Sequence, residues 1–206
     1  MDKLLNGVVE FRKQDFEDHK TLFKNLKGEQ KPHTLFIGCC DSRIVPALIT
    51  KTLPGELFII RNIANMVPPY RLANEYLSTT SAIEYALQAL EVETIVVCGH
   101  SNCGGCATLN DQPSVKNLPH TSKWMELAAT VKEKVNQQLP EHDTLAREWL
   151  TEQTNVVEQM KHLLTYPYIK DKFKAGKLTI MGWYYIIETG EVFNYNKEEN
   201  CFTLMN

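Results

Sequence analysis

Along most of this chain the apolar positions fall into short unbroken runs separated by segments with helical spacing. The runs Thr34-Leu35-Phe36-Ile37-Gly38 and Thr94-Ile95-Val96-Val97-Cys98-Gly99 do not alternate with polar residues, which predicts strands buried on both faces. A third run, Glu56-Leu57-Phe58-Ile59-Ile60-Arg61-Asn62, follows the Pro54-Gly55 turn. Near the end, Leu178-Thr179-Ile180-Met181-Gly182-Trp183-Tyr184-Tyr185 and Glu191-Val192-Phe193-Asn194-Tyr195 flank Glu188-Thr189-Gly190 and predict a last pair of strands.

Helical spacing fills the intervals. In residues 4–27 Leu4, Val8, Phe11, Phe16, Leu22, Phe23 and Leu26 alternate loosely with charge, an N-terminal helical arm that Gly28-Glu29-Gln30-Lys31-Pro32 ends. A short helix is expected over 44–50. Another carries Ile83, Ala86, Leu87 and Leu90 on one face, with Ser78 or Ser81 as its cap. The segment 104–119 reads as a loop in its later part, around the breaker Asn110-Asp111-Gln112-Pro113. Helical pattern returns over 120–139 and 145–164 and in a short amphipathic piece ending at Gly176. Strand and helix thus alternate. The expected fold is α/β: a mainly parallel central sheet with helices on both faces, a C-terminal antiparallel edge strand and the N-terminal arm.

Composition narrows the function classes. With 206 residues, 43% hydrophobic and 23% charged, the chain supports one substantial core and reads as a single domain, 1–206, whose first 30 residues are the arm. A formal net charge of −3 offers no footprint for nucleic acid or an anionic membrane. No apolar stretch approaches the ~20 residues that span a bilayer. Met1-Asp2-Lys3-Leu4-Leu5-Asn6 meets charge too early for a signal-peptide core. Cys39, Cys40, Cys98, Cys103, Cys106 and Cys201 cluster near strand ends rather than spreading as a disulfide framework, so a reducing cytoplasm is the expected location.

The chemistry sits where two of the strands end. Cys39-Cys40-Asp41-Ser42-Arg43 follows the first, and His100-Ser101-Asn102-Cys103 follows the run from Thr94. Ligands in such folds bind beyond the carboxyl ends of the strands. Adjacent parallel strands would bring Cys39, His100 and Cys103 together, two soft thiolates and an imidazole that suit tetrahedral zinc with one position open for chemistry. Two sulfurs cancel the charge of the metal, so water there is acidified less than by a zinc on three neutral histidines. Asp41 and Arg43 would supply the help: a carboxylate gripped by the guanidinium and accepting a hydrogen bond from water. Were the grip to loosen, Asp41 is near enough to become a fourth ligand and close the site. Cys103-Gly104-Gly105-Cys106 also has the spacing of a dithiol redox centre, but that reading leaves His100, Cys39 and the Asp41–Arg43 pair unexplained. Cys40, Cys98 and Cys201 read as small buried residues, and His19, His33, His120, His142 and His162 as polar-context residues rather than ligands.

These two motifs, Cys-x-Asp-Ser-Arg and His-x-x-Cys, resemble the signature of the β-class carbonic anhydrases. The resemblance covers nearly the whole chain and extends through Arg61-Asn62-Ile63-Ala64-Asn65, Val67-Pro68-Pro69-Tyr70 and Gly182-Trp183-Tyr184-Tyr185; it is greatest to the short epsilonproteobacterial members. It implies a zinc lyase that hydrates carbon dioxide reversibly to bicarbonate and a proton through zinc-bound hydroxide, with one zinc per chain. It also implies a substrate pocket from Gln30, Phe58 and Tyr85. Part of that pocket comes from a neighbouring subunit, hence a homodimer or dimer of dimers, with the arm packing on the neighbour. Members closed by a regulatory bicarbonate carry a tryptophan where this chain has Phe36, although Arg61 of the same site is present; strong bicarbonate-driven closure is therefore not expected. Two other readings use the same residues: a hydrolase of carbon disulfide or carbonyl sulfide on the same scaffold, and a structural zinc module with Asp41 as permanent fourth ligand.

Overall fold

The computed structural model describes residues 2–73, 77–110 and 117–205. Its centre is a six-stranded sheet of order β2-β1-β3-β4-β5-β6, with β1 Thr34–Cys39, β2 Leu57–Asn62, β3 Thr94–His100, β4 Thr179–Tyr185, β5 Val192–Asn196 and β6 Cys201–Leu204. The pairs β1–β2, β1–β3 and β3–β4 are parallel, whereas β4–β5 and β5–β6 are antiparallel. Every residue of β1 is buried, as an unbroken apolar run in a central parallel strand requires. The C-terminal edge holds one strand more than the sequence suggests, since Cys201–Leu204 forms β6.

Alternate residues of the strands feed different clusters. Leu35, Ile37, Ile95, Val97 and Ile180 pack with Ile83 and Leu87 of α5 (Ser78–Gln88), Val156, Met160 and Leu163 of α9 (Thr144–Leu163) and Ile169 of α10 (Pro167–Lys174). Phe36, Val96 and Cys98 point the other way and meet Met181, Trp183 and Tyr185. Two glycines let α9 press onto the sheet. A Cβ on Gly99 would lie 2.5 Å from Val156 Cγ2, and one on Gly182 would strike Met160 and Val156.

The arm is three helices rather than one: α1 Asp2–Lys13, α2 Asp15–Asp18 and α3 Lys20–Asn25, interrupted at Gln14 and at His19. The rings of Phe11, Phe16 and Phe23 hold the pieces together. Neither Ser78 nor Ser81 caps α5: Leu77 takes the cap position, and Ser81 donates instead to the Ser78 carbonyl. The remaining helices are α4 Pro46–Thr50, α6 Gly104–Asn110, α7 Pro119–Met125 and α8 Ala129–Gln138. α6 occupies the first half of the 104–119 segment, and most of its Asn110-to-Pro113 breaker lies outside the described residues. No helix among the described residues is long and apolar enough to cross a membrane.

Candidate metal centre

β1 and β3 run side by side with Gly38 opposite Cys98, so their carboxyl ends deliver Cys39 and His100 to one edge of the sheet. The turn after β3, with Asn102 at φ 54°, brings Cys103 back toward them. The two sulfurs lie 3.9 Å apart, and the ligand atoms of Cys39, His100 and Cys103 are all within 4.8 Å of one another and buried. His100 Nδ1 lies 3.0 Å from the Ser101 carbonyl oxygen. A carbonyl only accepts, so Nδ1 carries the proton and Nε2 presents a lone pair. That Nε2 is buried and bonds to no protein atom.

A divalent cation fits this donor set. Contact with Cys103 and burial push the Cys39 thiol up to about 12, and contact with Cys106 raises Cys103 in the same direction. Two crowded, buried thiols stay protonated on their own; a cation is what ionises such a pair. Two soft sulfurs with an imidazole, all within 4.8 Å of one another, suit zinc. Cys98 is buried as completely, and burial lifts it to about 12, yet it does not join the group.

Asp41 stands at the rim. Its Oδ1 accepts from the Arg43 backbone N–H at 3.0 Å and from Arg43 Nε at 2.9 Å, while Oδ2 accepts from Arg43 Nη2 at 2.7 Å. This grip holds the carboxyl well below the usual carboxylate range despite some loss of solvent. Oδ2 also lies 3.9 Å from His100 Nε2, which places the carboxylate beside the free lone pair. Arg43 Nη2 reaches on to the Asn102 carbonyl at 2.9 Å and ties the two loops together. Arg61 performs the matching task on the first loop, donating to the carbonyls of Cys39 at 2.9 Å and Asp41 at 2.6 Å.

The three pocket residues are elsewhere. Phe58 pairs in register with Leu35, four residues before Cys39, or roughly 13 Å back along the strand at about 3.3 Å per residue. Its ring lies 6.0 Å from that of Tyr85 on α5, and Tyr85 is 50% exposed. Gln30 is exposed in the loop before β1. One chain thus brings together Cys39, Asp41, Arg43, His100 and Cys103, but not Gln30, Phe58 and Tyr85. Phe36 is buried beside Trp183, with ring centroids 6.2 Å apart.

Residues 62–65 enter the resemblance with no role attached, and the residues of α9 that hold them were not singled out by sequence. Ala64 and Asn65 both adopt positive φ, 60° and 46°, a strained stretch next to the triad. Asn62 pins it by accepting from the Met66 amide at 2.7 Å, and α9 pins it from below. There Asn155 donates to the Ala64 carbonyl at 2.9 Å and Gln159 accepts from the Val67 amide at 2.7 Å. One turn earlier Glu152 accepts from the Cys103 amide at 2.7 Å. The signal was present as polar residues 152, 155 and 159 at helical spacing among Val156, Met160 and Leu163.

Residues 34–192 match the family model for carbonic anhydrase, which is most of the chain and includes every candidate ligand. The chain belongs to the carbonic anhydrase family. It is 42% identical over 200 residues to the carbonic anhydrase of Helicobacter pylori (strain J99), covering 95% of this chain and 90% of that one. It is 40% identical to the carbonic anhydrase of Synechocystis, covering 95% and 71%. Among solved structures it is similar to the β-carbonic anhydrase CcaA, with TM-score 0.94 and 37% identity over 100% of this chain and 99% of the other. It also resembles the tetrameric β-carbonic anhydrases of Sordaria macrospora, with TM-score 0.82 and 30% identity over 98% of each. The mixed sheet, parallel at its core and antiparallel at its C-terminal edge, is the fold shared with these neighbours.

Proposed function

We propose that this enzyme hydrates carbon dioxide reversibly to bicarbonate and a proton, with Cys39, His100 and Cys103 holding one zinc ion per chain. The observation that carries the reading is the arginine-gripped Asp41 beside an imidazole lone pair and two buried thiols. Zinc bound there supplies the Lewis acidity that makes a water molecule nucleophilic near neutral pH. Ionised Asp41 only accepts hydrogen bonds, so it would take one from a water held at that site and orient it toward the substrate. Arg43 holds both oxygens of Asp41, which would keep the carboxylate in this orienting role rather than as a ligand, and through the Asn102 carbonyl it ties the two loops together.

The substrate pocket is completed by a second copy. Phe58 and Tyr85 lie too far back along the sheet to line the triad of their own chain, yet Phe58 is on the edge strand β2 and Tyr85 is beside it. Ile59 on β2, Ile63 just after it and Tyr85 are all exposed, an apolar surface of the kind that pairs. Across such an interface Phe58 and Tyr85 wall an apolar cavity for carbon dioxide, and the Gln30 amide donates to the oxygen that gains charge. The unit is therefore a homodimer or a dimer of dimers. Helix α1 buries none of its residues, so its Leu4, Leu5, Val8 and Phe11 are the surface by which residues 1–30 pack on the neighbour. With Phe36 in place of an indole donor, bicarbonate does not close the site strongly. Six free cysteines fit a cytoplasmic enzyme.

Zinc per chain and the stopped-flow rate of carbon dioxide hydration across pH test the reading together: about one zinc and a rate far above background are expected. Protein that takes up no zinc would sink it. Sedimentation tests the assembly, with Ile59→Lys expected to give inactive monomers. No observation favours a sulfide substrate, and a permanently closed structural site is at odds with an Asp41 whose two oxygens are both held by Arg43.

A further inference from the structure

The turn that carries Cys103 has to satisfy its backbone groups where water is excluded. The partner of the Cys103 amide is the Glu152 side chain, 49 residues on in sequence, through Oε1 at 2.7 Å. The other oxygen accepts the Tyr184 hydroxyl at 2.6 Å. Glu152 is 1% exposed, and neither of these partners is a cation. A carboxylate is costly to bury, and a lone amide would be satisfied by any neutral acceptor. What a carboxylate adds is two acceptor oxygens on one rigid plane, so that an amide and a phenol are held at once.

Each end of this chain of contacts is fixed. Glu152 rides on α9, locked against β3 and β4 by the close approaches at Gly99 and Gly182. Tyr184 lies on β4 directly opposite Gly99, and the Trp149 ring braces it at 6.0 Å.

We propose that Glu152 is a positioning residue for the metal centre. By clamping the Cys103 amide, with Tyr184 holding its second oxygen, it fixes the backbone from which the Cys103 sulfur projects toward Cys39 and His100. This rests on the reading of those three residues as zinc ligands. The consequence is that Glu152 governs how tightly the metal is held, whereas Asp41 governs what the water does.

The test compares the parent with Glu152→Ala, Glu152→Gln and Tyr184→Phe. Zinc affinity is measured by chelator competition, and the sulfur-to-cobalt absorption is recorded on cobalt-substituted protein, with thermal melting as the check on folding. Glu152→Ala should bind zinc about 10–100-fold more weakly and show a shifted or broadened band, the range seen when partners of metal ligands are lost. Glu152→Gln keeps an oxygen for the amide and should lie nearer the parent, while Tyr184→Phe should weaken binding by less than Glu152→Ala. A folded Glu152→Ala protein with parental affinity and spectrum overturns the proposal. Should that variant not fold, Tyr184→Phe decides, and an unchanged affinity and spectrum there overturn it equally. A parent that binds neither zinc nor cobalt overturns the zinc reading itself, a failure distinct from parental behaviour in the variants.

Discussion

Asp41 sits at the rim of the triad with both oxygens on an arginine, whereas Glu152 lies beneath it with an amide and a phenol for partners. The guanidinium holds Asp41 well below the usual carboxylate range; burial pushes Glu152 up to about 7 against the opposing pull of its hydrogen bonds. Identical chemical groups on two sides of one triad are thus placed in different electrostatic surroundings. The rim carboxylate is favoured in its ionised form by Arg43 and faces the lone pair of His100 Nε2. The floor carboxylate is shielded and faces backbone.

The largest effect expected is the one that leaves both carboxylates nothing to serve. His100→Ala or Cys103→Ser should bring zinc content toward zero and turnover to the uncatalysed background, measured by elemental analysis and stopped flow. Cys98→Ala is the contrast, since Cys98 is as buried but lies outside the triad; it should keep its zinc. Next comes Asp41→Asn, which separates rim from floor. It should retain zinc while kcat falls by about 10²–10⁴, the usual worth of a positioned acid–base group. If it loses zinc as Glu152→Ala is expected to, the division of labour fails.

Arg43→Ala sharpens the same contrast with a smaller expected loss, on the order of 100-fold in kcat. It removes the two side-chain bonds on Asp41 and the tie to Asn102. A freed carboxylate 3.9 Å from His100 Nε2 should turn onto the zinc, and a crystal structure of the variant would show it there. An Asp41 still turned away would mean that Arg43 is not what keeps the site open.

What could be read from sequence and what could not divides along similar lines. β1 and β3 were legible because a strand buried on both faces has to be apolar throughout, and β2, a partly exposed edge strand, was legible as an apolar run set off by the Pro54-Gly55 turn. Cys39, Asp41, Arg43, His100 and Cys103 were legible as one group because parallel strands end on a common edge. Strand β6 was not, since Cys201-Phe202-Thr203-Leu204 is short, at the sheet's edge and mostly exposed. Glu152, Asn155 and Gln159 were missed because periodicity assigns polar residues to the solvent face. On α9 they face inward, as the backbone of 64–67 and of Cys103 has to be satisfied by something. The distance of Phe58 from the triad is a matter of register, fixed only when Phe58 pairs with Leu35.

A third carboxylate, six residues beyond Glu152 on the same helix, supplies the smallest effect and the control. Burial pushes Glu158 up, but the ammonium groups of Lys134 and Lys161 outweigh it and leave the carboxyl below its ordinary value. The unfolded chain, with glutamate near ~4.3, then binds the proton more readily than the folded one. Stability from this group is complete above about pH 4.3 and is lost as pH falls through the lower folded value. Glu158→Gln should cost about 1 kcal/mol at pH 7, because Lys134 and Lys161 are partly exposed and water screens them. Urea midpoints should show that difference shrinking on acidification, while zinc content and turnover stay parental. A loss of zinc in Glu158→Gln would show that any buried carboxylate on α9 matters to the metal, and the special place given to Glu152 would go with it.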